Sequence, residues 1–216
     1  IRGSTAPAAT TSPTSPSSTA IGDMVLVFLW TRGGAGVPTH TLQSGFTAII
    51  NHSHDDGSTD GRLSCAYKVA TSAGANTYQA YTSSGADVWS GILVLTTGTF
   101  SESGIASASV TQTNNAVPNP AQVTGLTSTL DYRVITCAAW HLSSAATVAA
   151  GAPTNYVEEW EVAGSQTSEL GLATRSISAA TSEDPGTYTD DVAPSGTCCL
   201  TIAVAQGATT FNITPA

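Results

Sequence analysis

The stretch Asp23-Met24-Val25-Leu26-Val27-Phe28-Leu29-Trp30-Thr31-Arg32 decides the fold. Its apolar run, Met24 to Trp30, falls far short of the 18 or more residues needed to span a bilayer and is the length of one strand. Successive side chains of a strand point to opposite faces, so this strand is apolar on both. It must lie centrally between two layers, or have its outer face covered by another part of the chain or by a partner. A second pattern differs. Leu63, Cys65, Tyr67 and Val69 alternate with Arg62, Ser64, Ala66 and Lys68, which gives one core face and one wetter face.

Outward from these two runs, short β-type segments alternate with Gly, Ser, Asn and Pro clusters. Strands are expected near 23–32, 45–52, 62–70, 75–82, 90–97, 105–112, 131–142, 155–163, 168–177, 185–191 and 198–206. The composition agrees. Only 10% of the 216 residues are charged, against about 25% in ordinary globular chains. Ser and Thr together number about 60, there is a single Lys, and Val, Ile, Ala and Thr fill the apolar positions, where long amphipathic helices need Leu, Glu, Lys and Arg. The expected class is all-β: a two-sheet antiparallel β-sandwich, jelly-roll-like.

The two halves of the chain resemble each other. GDMVLVFLWTR (22–32) aligns with LDYRVITCAAW (130–140), GFTAII (45–50) with NYVEEW (155–160), and NTYQAYTSSGADVWSGILVL (76–95) with GTYTDDVAPSGTCCLTIAV (186–204), at offsets of roughly 107 to 111 residues. An alternating strand, RLSCAYKVA (62–70) or SELGLATRS (168–176), stands between the second and third blocks of each half. Two diverged repeats, about 22–98 and 130–207, are therefore expected to pack into a single domain over residues 21–216, with Gln112–Gln122 as the crossover. Residues 1–20 form an extended Ser/Thr/Pro-rich arm. Its stretch STAPAATTSPTSPSSTA (4–20) holds three prolines and no large apolar side chain, so it is expected to stay disordered until another surface offsets its ordering entropy. The chain opens on Ile1 with no initiating Met, so the lack of a visible signal segment carries no weight.

The charge balance excludes some partners. With 6 Lys+Arg against 15 Asp+Glu and a net charge of -9, the chain cannot release many counterions from a phosphate backbone, which argues against nucleic acid and against an anionic membrane surface. The densest polar cluster runs from Asn51 to Gly61. His52 and His54 share a strand face and offer a zinc pair, while Asp55, Asp56 and Asp60 offer oxygen ligands for calcium. The cluster lacks the D-x-D-x-D-G spacing and the bidentate Glu of a calcium loop, so a solvated hairpin is the plainer reading and no metal or cofactor is expected.

No G-x-S-x-G is present, and neither Ser53 beside His52 nor Ser143 near His141 forms a recognisable nucleophile pattern. Glu158, Glu159 and Glu161 alternate along a strand and do not converge as a glycosidase pair; on an edge they discourage stray β-pairing. Trp89, Trp140, Tyr156 and Trp160 are the aromatics available to a carbohydrate-binding surface. Cys65, Cys137, Cys198 and Cys199 lack C-x-x-C spacing and read as free, mostly buried thiols, the vicinal pair facing opposite ways. Asn51-His52-Ser53 and Asn212-Ile213-Thr214 fit the glycosylation sequon. No catalytic residue is assigned, and the chain is not expected to be an enzyme.

One family resemblance rests on these blocks. Gly22-Asp23 before the apolar run, Gly45-Phe46-Thr47, Tyr67-Lys68-Val69-Ala70-Thr71, Thr77-Tyr78 and SGADVWSGI (84–92) together resemble a β-sandwich of structural proteins from tailed bacteriophages. The likeness covers about residues 22–98, with the second half as its diverged copy, and Phe46 stands where such sequences often hold Trp. The resemblance implies a non-enzymatic virion component. Its preferred role is a capsid decoration (cement) protein on the outer surface of the phage head, bound to the major capsid protein and to neighbouring copies of itself as a homo-oligomer. The alternative is a tail-fibre or tail-tip module that adheres to host carbohydrate. On the first reading the arm carries the partner contacts, through Ser4, Thr5, Pro7, Thr11, Pro13 and Pro16, by adding a strand to a neighbour.

Overall fold

The computed structural model describes residues 1–34, 36–57, 60–85, 87–113, 116–142, 151–163, 168–189 and 194–207. In chain order the strands are β1 (Gly3–Ala8), β2 (Met24–Arg32), β3 (His40–Leu42), β4 (Thr47–His54), β5 (Gly61–Val69), β6 (Tyr81–Ser83), β7 (Asp87–Leu95), β8 (Ile105–Thr113), β9 (Val123–Thr124), β10 (Asp131–Leu142), β11 (Val157–Ala163), β12 (Ser168–Ser178), β13 (Ser182–Glu183) and β14 (Pro194–Ala205). One short helical turn, Glu102–Gly104, precedes β8. The fold is an all-β sandwich of two five-stranded antiparallel sheets, with two small ribbons, β3–β6 and β9–β13.

The first sheet runs β1-β7-β2-β5-β4 and the second β8-β14-β10-β12-β11. These are the same order: in each half the first strand pairs with the last, the second lies at the centre, and the third forms the far edge. The jelly-roll expectation finds no support in the connections, because each half of the chain builds its own sheet instead of crossing between two.

The doubly apolar strand is explained by four layers. From β2, Met24, Leu26, Phe28 and Trp30 face the second sheet, where they meet Ile135, Cys137, Ala139, Leu172, Leu200 and Ile202 in one core. The alternate residues Val25, Val27 and Leu29 face outward and are covered by Tyr78, Ala80 and Tyr81 of the same chain, with Phe46 alongside. The second sheet repeats the device, with Val134, Ala138 and Trp140 beneath Val123, Leu126, Tyr156 and Tyr188. The cover is therefore the chain itself. The segments expected as strands at 75–82 and 185–191 are mostly this cover, residues 190 and 191 lying outside the described residues: Tyr78 donates its main-chain N–H to the Pro13 carbonyl and Tyr188 to the Pro118 carbonyl, each at 2.8 Å.

The arm is ordered on its own chain, which corrects the expectation of disorder. β1 pairs with β7 through Gly3–Val94, Ser4–Leu93 and Thr5–Ile92, and Arg2 forms an ion pair with the fully buried Asp23. Further along, Pro13, Ser15 and Thr19 are buried. Ser15 donates its N–H to the Asn76 carbonyl at 2.9 Å, and the Thr19 hydroxyl donates to the Pro16 carbonyl at 2.7 Å. Main-chain pairing holds what side-chain burial alone would not.

Candidate functional site

At one end of the sandwich, side chains from both sheets bring charge together. His52 and His54 do share the inner face of β4, as their spacing requires. Burial holds the His52 pKa below the ordinary value, against an opposing pull from the Val110 backbone of β8 across the seam between the sheets. His54 is buried, with Nε2 3.6 Å from an Asp56 carboxylate oxygen. Its ring lies so close to Gly196 that any β-carbon there would collide with it. Beside it His141 shares a 2.8 Å hydrogen bond between Nδ1 and the Ser195 hydroxyl, and that hydroxyl donates to the His141 carbonyl at 3.0 Å. Burial and the Arg32 charge lower the His141 pKa to about 4, against the opposite pull of Asp56 and Asp87. Arg32 itself pairs with Asp87 at 3.5 Å on the wall of an open cleft of about 510 Å3 that Gly33, Gly34, Pro38 and Ser84 also line.

These groups do not make a metal cage. Asp60 accepts the main-chain N–H groups of Asp56 and Gly57, each at 3.0 Å, and so closes the hairpin turn. Asp55 points to solvent. Among the described residues no three His, Cys, Asp or Glu side chains converge as metal ligands. Ser58 and Thr59 of the same loop lie outside the described residues.

A serine–histidine contact absent from any sequence pattern lies on the outer face of the first sheet. His40 Nδ1 is 2.7 Å from the Ser64 hydroxyl and Nε2 is 2.9 Å from the Thr31 hydroxyl, which in turn accepts from Ser83 at 2.9 Å. Both ring nitrogens are thus occupied by hydroxyls, and no carboxylate orients the ring as a base would require. Ser64 has no exposed surface, so no substrate reaches it. Burial and the Arg62 charge lower the His40 pKa to about 3. The group is a neutral hydrogen-bonding strut under the β3–β6 ribbon.

The remaining candidates are spent on structure. β11 is an edge strand, as its three glutamates suggested, and its register shifts between Glu158 and Trp160. The shift turns Trp160 into the core, where its indole N–H donates to the Ile92 carbonyl at 3.3 Å, while Glu159 accepts from the Thr174 hydroxyl at 2.7 Å. Trp140, Tyr156 and Trp160 are all buried, so of the four aromatics only the half-buried Trp89 retains accessible surface. All four cysteines are free and buried, Cys198 in the inter-sheet core and Cys199 in the outer cluster. Asn51 is exposed on β4, where its side-chain oxygen accepts from Arg62 at 2.7 Å. Ser143 and the sequon at Asn212 lie outside the described residues.

The expected partner contacts sit on the chain itself. Ser4 and Thr5 are in the β1–β7 pairing, Pro7 lies within β1, Thr11 accepts from the Gln79 amide at 3.3 Å, Pro13 is buried and Pro16 half-buried. No protein-family model, curated protein or solved structure matches this chain.

Proposed function

We propose that this chain is a non-enzymatic structural protein of a tailed-phage virion. It decorates the outer surface of the head, binds the major capsid protein and neighbouring copies of itself, and uses no cofactor. Its two halves are diverged copies of one five-strand unit. The family resemblance of residues 22–98 supplies the class. The observation that carries the choice of role is the burial of Trp140, Tyr156 and Trp160, which takes three of the four candidate stacking aromatics out of a sugar's reach and leaves only the half-buried Trp89. The titratable groups support the same reading, since Asp23, Asp60 and His40 are engaged in hydrogen bonds of the fold. A cryo-EM map of the assembled particle tests it: density for this sandwich on the head lattice is the expected result. Density confined to the tail tip replaces the role with host adhesion, and a particle without the chain overturns the reading.

A further inference from the structure

Strand β1 is held by its backbone. Gly3, Ser4 and Thr5 are half-buried and Ala6 and Ala8 are exposed, so among the described side chains no large apolar one anchors it. Its ties among the described residues include the pairing with β7, the Arg2–Asp23 ion pair, packing beside β11, and a 3.4 Å bond from the Ser4 hydroxyl to the Glu159 carbonyl of β11. β7 beneath it is buried from Ser90 to Leu95. Without β1, its outer row of N–H and C=O groups would be an open sheet edge, a template for any extended strand. The segment that follows is docked far more firmly, with Pro13, Ser15 and Thr19 buried.

Between the two lies a bent stretch, Ala8–Ser12. There Thr10 donates its N–H to the Ala8 carbonyl at 2.7 Å and Ser12 donates its N–H to the Thr10 hydroxyl at 3.0 Å. The β1–β7 register also breaks between Thr5 and Ala8. An element with few buried contacts detaches at a cost below that of global unfolding. Straightened, the five residues of the bend reach about 16 Å, since an extended chain advances about 3.3 Å per residue.

We propose that β1 is an exchangeable strand, which leaves its own β7 and occupies the same edge of β7 in a second copy of this chain, with Ala8–Ser12 as the hinge. Every main-chain bond broken within the chain is remade between chains, and the Arg2 of one copy meets the Asp23 of the other. The balance is then set by local concentration and not by new contacts. Reciprocal exchange closes a two-fold dimer, whereas one-way exchange links copies into a ring or chain. This is a property of the chain alone and stands whether or not the virion reading holds.

Ala8 and Ser90 are register partners with small side chains, and Ser90, buried in the closed chain with its hydroxyl on the Thr10 carbonyl of the bend, is uncovered only when β1 and the bend lift away. Full-length Ala8→Cys and Ser90→Cys variants are prepared separately, mixed and oxidised; the native thiols are buried and do not compete. The expected product is a disulfide-linked pair of one chain of each variant, with a yield that rises with concentration. Sedimentation of the unmodified full chain should show a dimer growing over the same range, and Thr5→Pro, which removes a pairing position, should abolish it. Mixed variants that stay unlinked, together with an unmodified chain that remains monomeric at every concentration, overturn the proposal.

Discussion

The guanidinium of Arg2 forms an ion pair with the carboxylate of Asp23, a side chain with no exposed surface. The same carboxylate accepts the N–H of Ala20 at 2.7 Å and the N–H of Thr97 at 2.8 Å. It therefore ties the arm, the turn before β2 and the turn after β7 at one end of the first sheet. Burial opposes its ionisation, but the two N–H donors and Arg2 outweigh burial and hold the carboxyl below its ordinary range. Asp23→Asn is expected to cost about 2 to 4 kcal/mol, the range for breaking one side of a buried, hydrogen-bonded charge pair. Because the folded-state pKa is depressed, this contribution is complete at neutral pH and is lost only as pH falls through the carboxylate range. A thermal melt of the variant within about 0.5 kcal/mol of the parent, as for an ordinary surface change, would remove Asp23 from this role.

The buried histidines set a second, separate pH dependence. His40 and His141 have folded-state pKa values lowered to about 3 and about 4, below the ordinary 6.5. Between those values and about 6.5 the unfolded chain binds more protons, so stability rises with pH across that window and is lost as the solution is acidified. The slope should approach roughly 1.4 kcal/mol per pH unit for each group. Melting temperatures measured from pH 7 to pH 4 should fall steadily, and His40→Gln should lower the starting value while flattening the slope. A flat profile over that range in the parent would contradict the neutral, buried state of both rings.

How much of this was legible in the sequence depends on the range of the interaction. The doubly apolar Met24–Trp30 run announced a covered central strand, because a period-2 pattern is local. What covered it was not legible, since Tyr78 and Tyr81 reach β2 from a segment that reads as a strand of its own. The resemblance between the halves was visible, but which of the aligned residues share a face was not. Aligned as 22–32 on 130–140, inward Phe28 falls on Thr136, next to outward Val134 and Ala138, whereas a shift of 109 places it on inward Cys137. A single-residue slip exchanges the faces of a strand, and apolarity on both faces hides the error. The His40–Ser64 contact had no signal at all, being made across 24 residues by the short strand β3 that folds back over the sheet. The arm was misjudged because composition reports side-chain burial and is blind to main-chain pairing.

That misjudgement changes the expected effect of a truncation. A chain lacking residues 1–20 loses β1, the buried Pro13, Ser15 and Thr19, and the partner of Asp23. Its stability should drop by at least about 2 kcal/mol, well beyond the scatter of ordinary surface changes. Removing residues 1–8 alone should cost less, because the docked segment remains. Denaturant midpoints of the two truncations separate the cases, and equality of both with the full chain would restore the picture of a detached tail.

Gly91 is a sensitive probe of the inter-sheet contact. A β-carbon there would sit 2.6 Å from the Trp160 ring, which is itself packed edge-on to Phe28 with ring centres 6.1 Å apart. Trp160 comes from β11 of the second sheet and Gly91 from β7 of the first, so a single added methyl group pushes the sheets apart. Gly91→Ala is expected to destabilise by about 1 to 3 kcal/mol, the usual cost of overpacking a filled core. Paired with Trp160→Leu, which opens space, the loss should be partly recovered. Additive losses in that double-mutant cycle would mean the two positions do not touch in solution.

The strongest test of the architecture is to halve it. The inner face of the first sheet, Met24, Leu26, Phe28, Trp30, Leu63, Cys65, Tyr67 and Leu93, is covered among the described residues mainly by the second sheet. A fragment ending near Gln112 keeps β8 but loses the β10, β12 and β14 strands against which that face packs. At about 25 cal/mol for each Å2 of apolar surface returned to water, baring several large side chains exceeds the 5 to 15 kcal/mol that stabilises a whole domain. The outer layer of Tyr78 and Tyr81 does not help, because it covers the opposite side of the same strands. The fragment should therefore aggregate or remain without a cooperative transition when followed by circular dichroism. A soluble monomeric fragment with a sharp melt would show that each five-stranded sheet, with its own cover, is a domain in its own right.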